Sequence, residues 1–337
     1  MNSSNLNDSD AATYPKCFHV RNSFTDAPQV YFTLITSCVM NSILSVLSVT
    51  GNFLVLLAII KTRSLHNPSY CILFSLAVVD FCVGLFALPS FVVFKAYELK
   101  LSSAESLEDK KYYFEVYCAF GLTADGFGLM LSLVSGTLLG VVSVEKYLAI
   151  VLHLRYAEVV TNERVIKVVI GIWIFAVSLT VWLFAAQKGH LNYITIVIVT
   201  SFFLVLFLVI FCNVKIALIL RKHKKQIADA TKSTTIQMES TRDATSIKRY
   251  KKSVSSMAYV MILYLLCFVP HGITMLIKIS KEDYDSDSII GTINITIPLV
   301  FLNSSLNPLL YCWRFRDIRS AVVRIIKKVF RASPEGS

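Results

Sequence analysis

Residues 118–150 read CAFGLTADGFGLMLSLVSGTLLGVVSVEKYLAI, an apolar run that carries one charge, Asp125, before it stops at Glu145-Lys146-Tyr147. At about 1.5 Å of helical rise per residue, the stretch from 118 to 144 is long enough to cross a hydrocarbon core of about 30 Å. Windows of about 19 residues repeat that reading along the chain. They give spans at 34–60, 70–94, 118–144, 165–186, 192–220, 255–279 and 288–312. The expected fold is all-α, a seven-transmembrane-helix bundle.

Composition agrees. The 337 residues are 55% hydrophobic and only 16% charged, too apolar for an ordinary soluble domain. Lys and Arg collect in the segments after spans one, three, five and seven, ten of them between Arg221 and Lys252. The positive-inside rule then puts the C-terminus in the cytoplasm and the N-terminus outside, in a multi-pass protein. The formal charge of +11 is mostly this topology signal. It is spread over several loops rather than gathered in one motif, so no nucleic-acid partner is expected.

Residues 1–33 form an outer tail with no cleavable signal peptide, and the first span serves as signal and anchor together. Asn2-Ser3-Ser4 and Asn7-Asp8-Ser9 are glycosylation sequons there, whereas Asn294-Ile295-Thr296 and Asn303-Ser304-Ser305 fall inside span seven, out of reach. Of eight cysteines, Cys38, Cys71, Cys82, Cys212, Cys267 and Cys312 lie in spans or at their inner ends as small apolar residues. Cys17 and Cys118 face the oxidising side and are expected to pair.

The link between spans two and three is polar, ELKLSSAESLEDKKYY, and that between spans four and five is only AQKGHLN, too short to hold a lid. The basic loop from Arg221 to Lys252 contains Ser233, Thr234, Thr235, Ser240 and Thr241; it reads as a solvated loop or as a partner surface tunable by phosphorylation. After span seven, residues 313–337 hold an amphipathic helix and a short tail. Trp313, Phe315, Ile318, Val322, Ile325, Ile326 and Val329 share one face, the pattern of a short eighth helix lying in the membrane interface among lipids. No internal repeat is visible, which opposes an inverted-repeat transporter.

With the spans placed, several short motifs fall in order on them: GNFLV with Asn52 on span one, LAVVD with Asp80 on span two, Trp173 on span four, CFVP with Pro270 on span six, and NPLLY with Asn307, Pro308 and Tyr311 on span seven. In these residues the chain resembles the rhodopsin-like (class A) G-protein-coupled receptors from Gly51 to Val329. The resemblance implies a plasma-membrane receptor that converts an extracellular ligand into opening of the inner end of helix six. It implies a heterotrimeric G protein as partner, with arrestin and receptor kinases, and no enzymatic activity. No HExxH or GxSxG motif occurs either.

The family also supplies roles by position. Its span-two aspartate helps hold a sodium ion, and the matching positions are Asp80, Ser135, Asn303, Ser304 and Asn307, all oxygen-bearing. The set reads as an allosteric sodium site or as a hydrated polar cluster; no other cofactor is implied. Glu145-Lys146-Tyr147 stands where the family has Asp-Arg-Tyr, and Lys146 lacks the planar five-donor fork of arginine. Asn213 stands where a span-five tyrosine commonly meets that arginine. Two readings follow: Lys146 and Asn213 form a compensated pair that still engages a G protein, or the chain is an atypical, non-coupling receptor. Pro270 and Pro308 should kink their helices. Phe268 takes the place of the usual tryptophan on the cavity floor.

Span five has no proline and the link before it no cysteine, which looks like the melanocortin-receptor branch and its lipid-sensing neighbours. Of the acidic residues that branch uses around calcium only Asp125 is matched; Ser90 and Gly121 stand at the other places. Gly128 occupies the aminergic aspartate position and Phe301 the retinal-lysine position. Phe91, Asp125, Ser132, Phe268, His271, Met275 and Phe301 are the expected ligand pocket, mainly apolar, with one anion and one imidazole. His271 reads there either as a satisfied bundle histidine or as a ligand contact. A lipid-like, small amphipathic or peptide ligand suits this lining. A transporter using Asp80 and Asp125 is the alternative from another class.

Overall fold

The computed structural model describes residues 28–152, 155–185, 191–233, 262–278, 280 and 286–331. Asn2, Asn7, Cys17 and the Ser and Thr residues 234–246 lie outside the described residues. The fold is a helical bundle of α1 (Pro28–Lys61), α2 (Pro68–Ser102), α3 (Leu107–Val151), α4 (Asn162–Ala185), α5 (Leu191–Ser233), α6 (Ile262–Lys278), α7 (Asp287–Arg314) and α8 (Arg316–Arg331). Among the described residues six helices are long and apolar enough to cross a membrane, and α6 is a shorter apolar one. Their outward faces are apolar: Phe32, Val46, Trp182, Leu204, Phe207 and Leu266 are all exposed. A bundle with greasy sides is a multi-pass membrane protein.

Two helix starts are written locally. Asn67 accepts a hydrogen bond from the Tyr70 amide at 3.2 Å, with Pro68 at the first helical position. Ser106 accepts from the Asp109 amide at 3.1 Å and donates to its carboxylate at 2.8 Å, a reciprocal cap. Because of that cap, most of the polar segment expected to link spans two and three is helical. The connection shrinks to residues 103–106. The basic segment after span five is likewise helical at first, since α5 runs on to Ser233.

Helix α1 packs on α7 and α2 through close approaches. A Cβ on Gly51 would stand 2.9 Å from Pro308 Cγ, and one on Gly84 would stand 2.9 Å from the Val49 nitrogen. Gly84 lies in a π-helical stretch of α2, Val83–Ala87, and its carbonyl accepts from Ser45 Oγ at 2.7 Å. Pro308 has no N–H for the carbonyl four residues back, that of Ser304. Asn52 Nδ2 donates to that carbonyl at 3.1 Å, and to Ser48 O at 2.9 Å. The side chain of α1 thus satisfies the acceptor that the proline of α7 leaves open.

The main apolar core runs between α1, α2, α3, α4, α7 and α8. Trp173 packs on its margin. A second cluster joins α3, α5 and α6 through Leu139, Val209 and Tyr264, backed by Phe202 and Phe268. Helix α8 differs from expectation at its start. Trp313 belongs to the end of α7 and is exposed, and Phe315 is the extended residue at which the chain turns, its ring edge-on to Tyr70 at 6.2 Å. The buried row of α8 is Ile318, Ala321 and Val322. Val329's side chain is not among those described. Tyr70 also donates to Asp317 at 3.3 Å, tying α8 to α2.

Candidate functional site

The residues singled out in the sequence gather at three levels of one bundle. Nearest the Ser106 end is a cavity of about 370 Å³ walled by α2 to α7. Phe91, Asp125, Ser132, Phe268, His271, Met275 and Phe301 all line it. Helical periodicity brings them together: Asp125, Gly128 and Ser132 are successive turns of α3, and Phe268, His271 and Met275 successive turns of α6. Phe91 and Phe301 meet edge to face at 6.2 Å, closing the α2–α7 side. Buried Asn294 and Asn303 of the two inner sequons lie within the bundle.

His271 Nδ1 is 3.0 Å from Thr296 Oγ1, while that hydroxyl donates to Ile293 O at 3.3 Å. Phe268 stacks on Tyr264 with centroids 4.3 Å apart, and both stack on Phe202 of α5. Tyr264 in turn lies against α3: a Cβ on Gly136 would stand 3.2 Å from its hydroxyl. The cavity floor is therefore an aromatic column that joins three helices.

Lys278 also lines the cavity, and the sequence reading did not include it. A lysine at the end of an apolar span reads as an interface anchor, which hides a role inside the bundle. Lys95, buried on α2, was missed for the same reason; it ion-pairs with Glu98 at 2.7 Å and lies 4.9 Å from the Phe94 ring centre. Lys278 shares the cavity wall with Asp125, which is exposed to it.

At mid-height Asp80 is fully buried, and Asn307 Nδ2 donates to its Oδ2 at 2.8 Å. Ser135, Asn303, Ser304 and Asn307 are buried as well. Asp80 Oδ1 and Asn307 Oδ1 have no hydrogen-bond partner. Buried oxygens left open in this way, one of them on a carboxylate, fit a small hard cation.

At the opposite end Glu145 and Lys146 form a closed network. Lys146 Nζ lies 2.8 Å from Glu145 Oε2 and donates to Ser69 Oγ at 3.2 Å. Ser69 donates to Glu145 Oε1 at 2.7 Å, and the Tyr156 hydroxyl donates to the same oxygen. Tyr147 is half-buried beside them. Asn213 is not brought to Lys146; its Nδ2 donates to Val209 O, one turn back on its own helix, at 2.8 Å. Pro270 and Pro308 lie within α6 and α7, and Tyr311 is buried just past Pro308. Pro298, a second proline inside α7, went unread in the sequence. Cys118 is disulfide-bonded, and the other six described cysteines are free.

Residues 51–311 match the family described as "7 transmembrane receptor (rhodopsin family)". Trace amine-associated receptor 7a of Rattus norvegicus is 26% identical over 308 residues, covering 84% of this chain and 79% of its own length. Trace amine-associated receptor 1 is 25% identical in both Macaca mulatta and Homo sapiens, over 84% of this chain and 86% and 85% of theirs.

Proposed function

The chain belongs to the rhodopsin family of seven-transmembrane receptors, and on that premise we propose that a small amphipathic extracellular ligand enters the 370 Å³ cavity and drives opening at the Glu145 end toward a heterotrimeric G protein. One observation carries the reading: the cavity floor is the Phe268–Tyr264–Phe202 column, set on α6 beside Pro270. A ligand that displaces Phe268 moves the column, and the hinge at Pro270 lets the rest of α6 follow. The N-terminus and the Ser106 end face outward, and the Glu145 end faces the cytoplasm, as the distribution of Lys and Arg supports.

Size supports a small ligand. A volume of about 370 Å³ lies near the lower end of the roughly 300–1,000 Å³ typical of ligand sites, which suits a compact molecule better than a long lipid chain or a peptide. The relatives are trace amine-associated receptors by name. Here Gly128 stands where aminergic receptors carry their aspartate, and Asp125 is the anion one turn away. At mid-height, Asp80, Ser135, Asn303, Ser304 and Asn307 would hold a sodium ion. That ion would supply the positive charge the buried Asp80 otherwise lacks.

A second reading, an atypical and non-coupling receptor, is favoured by one set of contacts: Lys146 is held by Glu145 at 2.8 Å and by Ser69 at 3.2 Å, and it lacks the planar fork with which an arginine could keep such partners and reach across the bundle as well. Cells carrying biosensors for each G-protein class test both, with the native chain beside Lys146→Ala and Lys146→Arg at matched surface expression. Signalling by the native chain that is lost in Lys146→Ala supports the coupled reading. Silence of the native chain, with basal signal appearing in Lys146→Arg, supports the atypical one.

A further inference from the structure

We infer that the segment Lys16–Arg21 of the outer tail is a tethered occupant of the cavity mouth, joined to α3 by a Cys17–Cys118 disulfide and paired through Arg21 with Asp125. The tether follows from the cysteines. The chain has eight; six are free and Cys118 is disulfide-bonded, which leaves Cys17 as its partner within the chain. Cys118 stands on the stripe of α3 that walls the cavity, nearer the Ser106 end. Asp125, Leu129, Ser132 and Gly136 line the cavity, and at about 3.6 residues per turn all four fall on one face with Cys118. A segment bonded to Cys118 therefore stands over the mouth. The link between α4 and α5, residues 186–190, has no cysteine and is too short to hold a lid there.

Charge and reach select the occupant. In the tail Cys17 stands between two cations, Lys16 and Arg21. On α3 Cys118 stands between two exposed carboxylates, Glu115 one turn outward and Asp125 two turns inward. Two turns rise about 11 Å, and the chain from Cys17 to Arg21 reaches about 13–14 Å when extended, so Arg21 comes level with Asp125. Alternation along an extended segment turns Cys17, His19 and Arg21 to one side and Phe18 and Val20 to the other. From Arg21 the chain to the start of α1 at Pro28 reaches about 23–25 Å, which lets the segment descend and return. Asp125 is the one acid among the described lining residues, and Lys278 lies on the α6 side, so a cation in the mouth turns to α3. The tether makes this contact intramolecular, at an effective concentration in the millimolar range, so a weak pairing suffices. A diffusing ligand must then displace the segment, and that consequence, unlike the tether, rests on the reading of the cavity as the ligand site.

The test uses the full-length chain in phospholipid nanodiscs. Peptide mass spectrometry without reductant should join the Cys17 peptide to the Cys118 peptide; a free Cys17, or a bond between two copies, overturns the inference. Arg21→Glu and Asp125→Lys should each lower the melting temperature. The two together should lie about 2–4 °C above the sum of the single losses, a recovery that misfolding does not produce. Strict additivity overturns the pairing. Access is read at Gly128→Cys, a wall position with nothing within 4 Å of its Cβ, by a charged, membrane-impermeant maleimide, with the native chain giving the background of the other cysteines. Adding Lys16→Gln and Arg21→Gln should speed labelling by about fivefold or more, the low end of an ordinary coupling between sites. Unchanged labelling overturns the occupancy. Phenethylamine as probe separates this inference from the cavity reading. A rise in melting temperature that Gly128→Leu abolishes, and that needs less probe in Arg21→Gln, supports both. A rise that needs the same concentration in both chains overturns displacement of the segment. No rise in either chain, with the charge swap and labelling as expected, supports the tethered segment and counts against the cavity as a small-ligand site.

Discussion

Lys146 turns back to its own neighbour, with Nζ 2.8 Å from Glu145 Oε2, and makes no hydrogen bond to Asn213. Glu145 is 5% exposed and Lys146 14%, so the pair is far less screened than a surface ion pair. A lysine can satisfy one carboxylate oxygen as a point charge but cannot span both as a guanidinium does. The other oxygen is taken by Ser69 and Tyr156 instead. Four side chains from α2, α3 and the turn after α3 thereby do what a bidentate arginine pair would do with two.

Tyr156→Phe removes one donor from that network and leaves the ring in place. A single hydrogen bond contributes about 0.5–1.5 kcal/mol net, which corresponds to roughly a two- to tenfold shift in a closed–open ratio. Basal signalling at matched surface expression should rise by about that factor, and Ser69→Ala should act in the same direction. Unchanged basal activity in both would show that the network does not restrain the closed bundle.

Asn52→Leu leaves the Ser304 carbonyl without a donor, because Pro308 cannot supply one. An unsatisfied buried acceptor costs about 1–3 kcal/mol. The variant should melt lower than the native protein. Replacing Pro308 by Ala in the same background should recover part of the loss, since residue 308 then has an N–H for that carbonyl. Equal losses with and without Pro308→Ala would dissociate the two residues.

The seven spans were legible because a long apolar run is local information. Asp125, Ser132, His271 and Phe301 were placed on inward faces by periodicity together with the family resemblance, and the Asp80 cluster by the resemblance; the structure puts the first four on the cavity wall. Partners across elements were not legible. Tyr156 reaches Glu145 from a single helical turn beyond α3, and nothing in its neighbourhood announces a buried bond. Lys95 and Lys278 stand at the ends of apolar runs, where the sequence does not distinguish a lysine that turns into the bundle from one that reaches the interface. Whether Asn213 Oδ1 meets Lys146 depends on how far apart α3 and α5 stand, which neither helix writes in its own sequence; Nδ2 is used within α5, on Val209 O.

Sodium should raise the melting temperature of the native protein when it replaces choline at constant ionic strength, because a ligand of the folded state alone stabilises it by mass action. Asp80→Asn keeps the size of the side chain and its hydrogen-bonding capacity but removes the charge that Oδ1 presents. Its melting temperature should be indifferent to the exchange of cations. A sodium response retained in Asp80→Asn would place the ion elsewhere, and no response in the native protein would leave a polar cluster without an ion.

Gly136 and Tyr264 offer a test of the column that links cavity to hinge. A methyl group on Gly136 would stand 3.2 Å from the Tyr264 hydroxyl, tighter than ordinary contact, and that hydroxyl belongs to a buried ring stacked at 4.3 Å on Phe268. Gly136→Ala should therefore push the ring, lowering stability by about 1–3 kcal/mol as overpacked sites do and shifting basal signal with it. Tyr264→Phe removes the atom that the methyl meets while keeping the stack. The double variant should then lie closer to the native protein than Gly136→Ala alone, with a coupling of about 0.5–3 kcal/mol. If the two changes simply add in both melting temperature and basal signal, the ring is not seated against α3, and displacement of Phe268 would reach α6 by some path other than Tyr264.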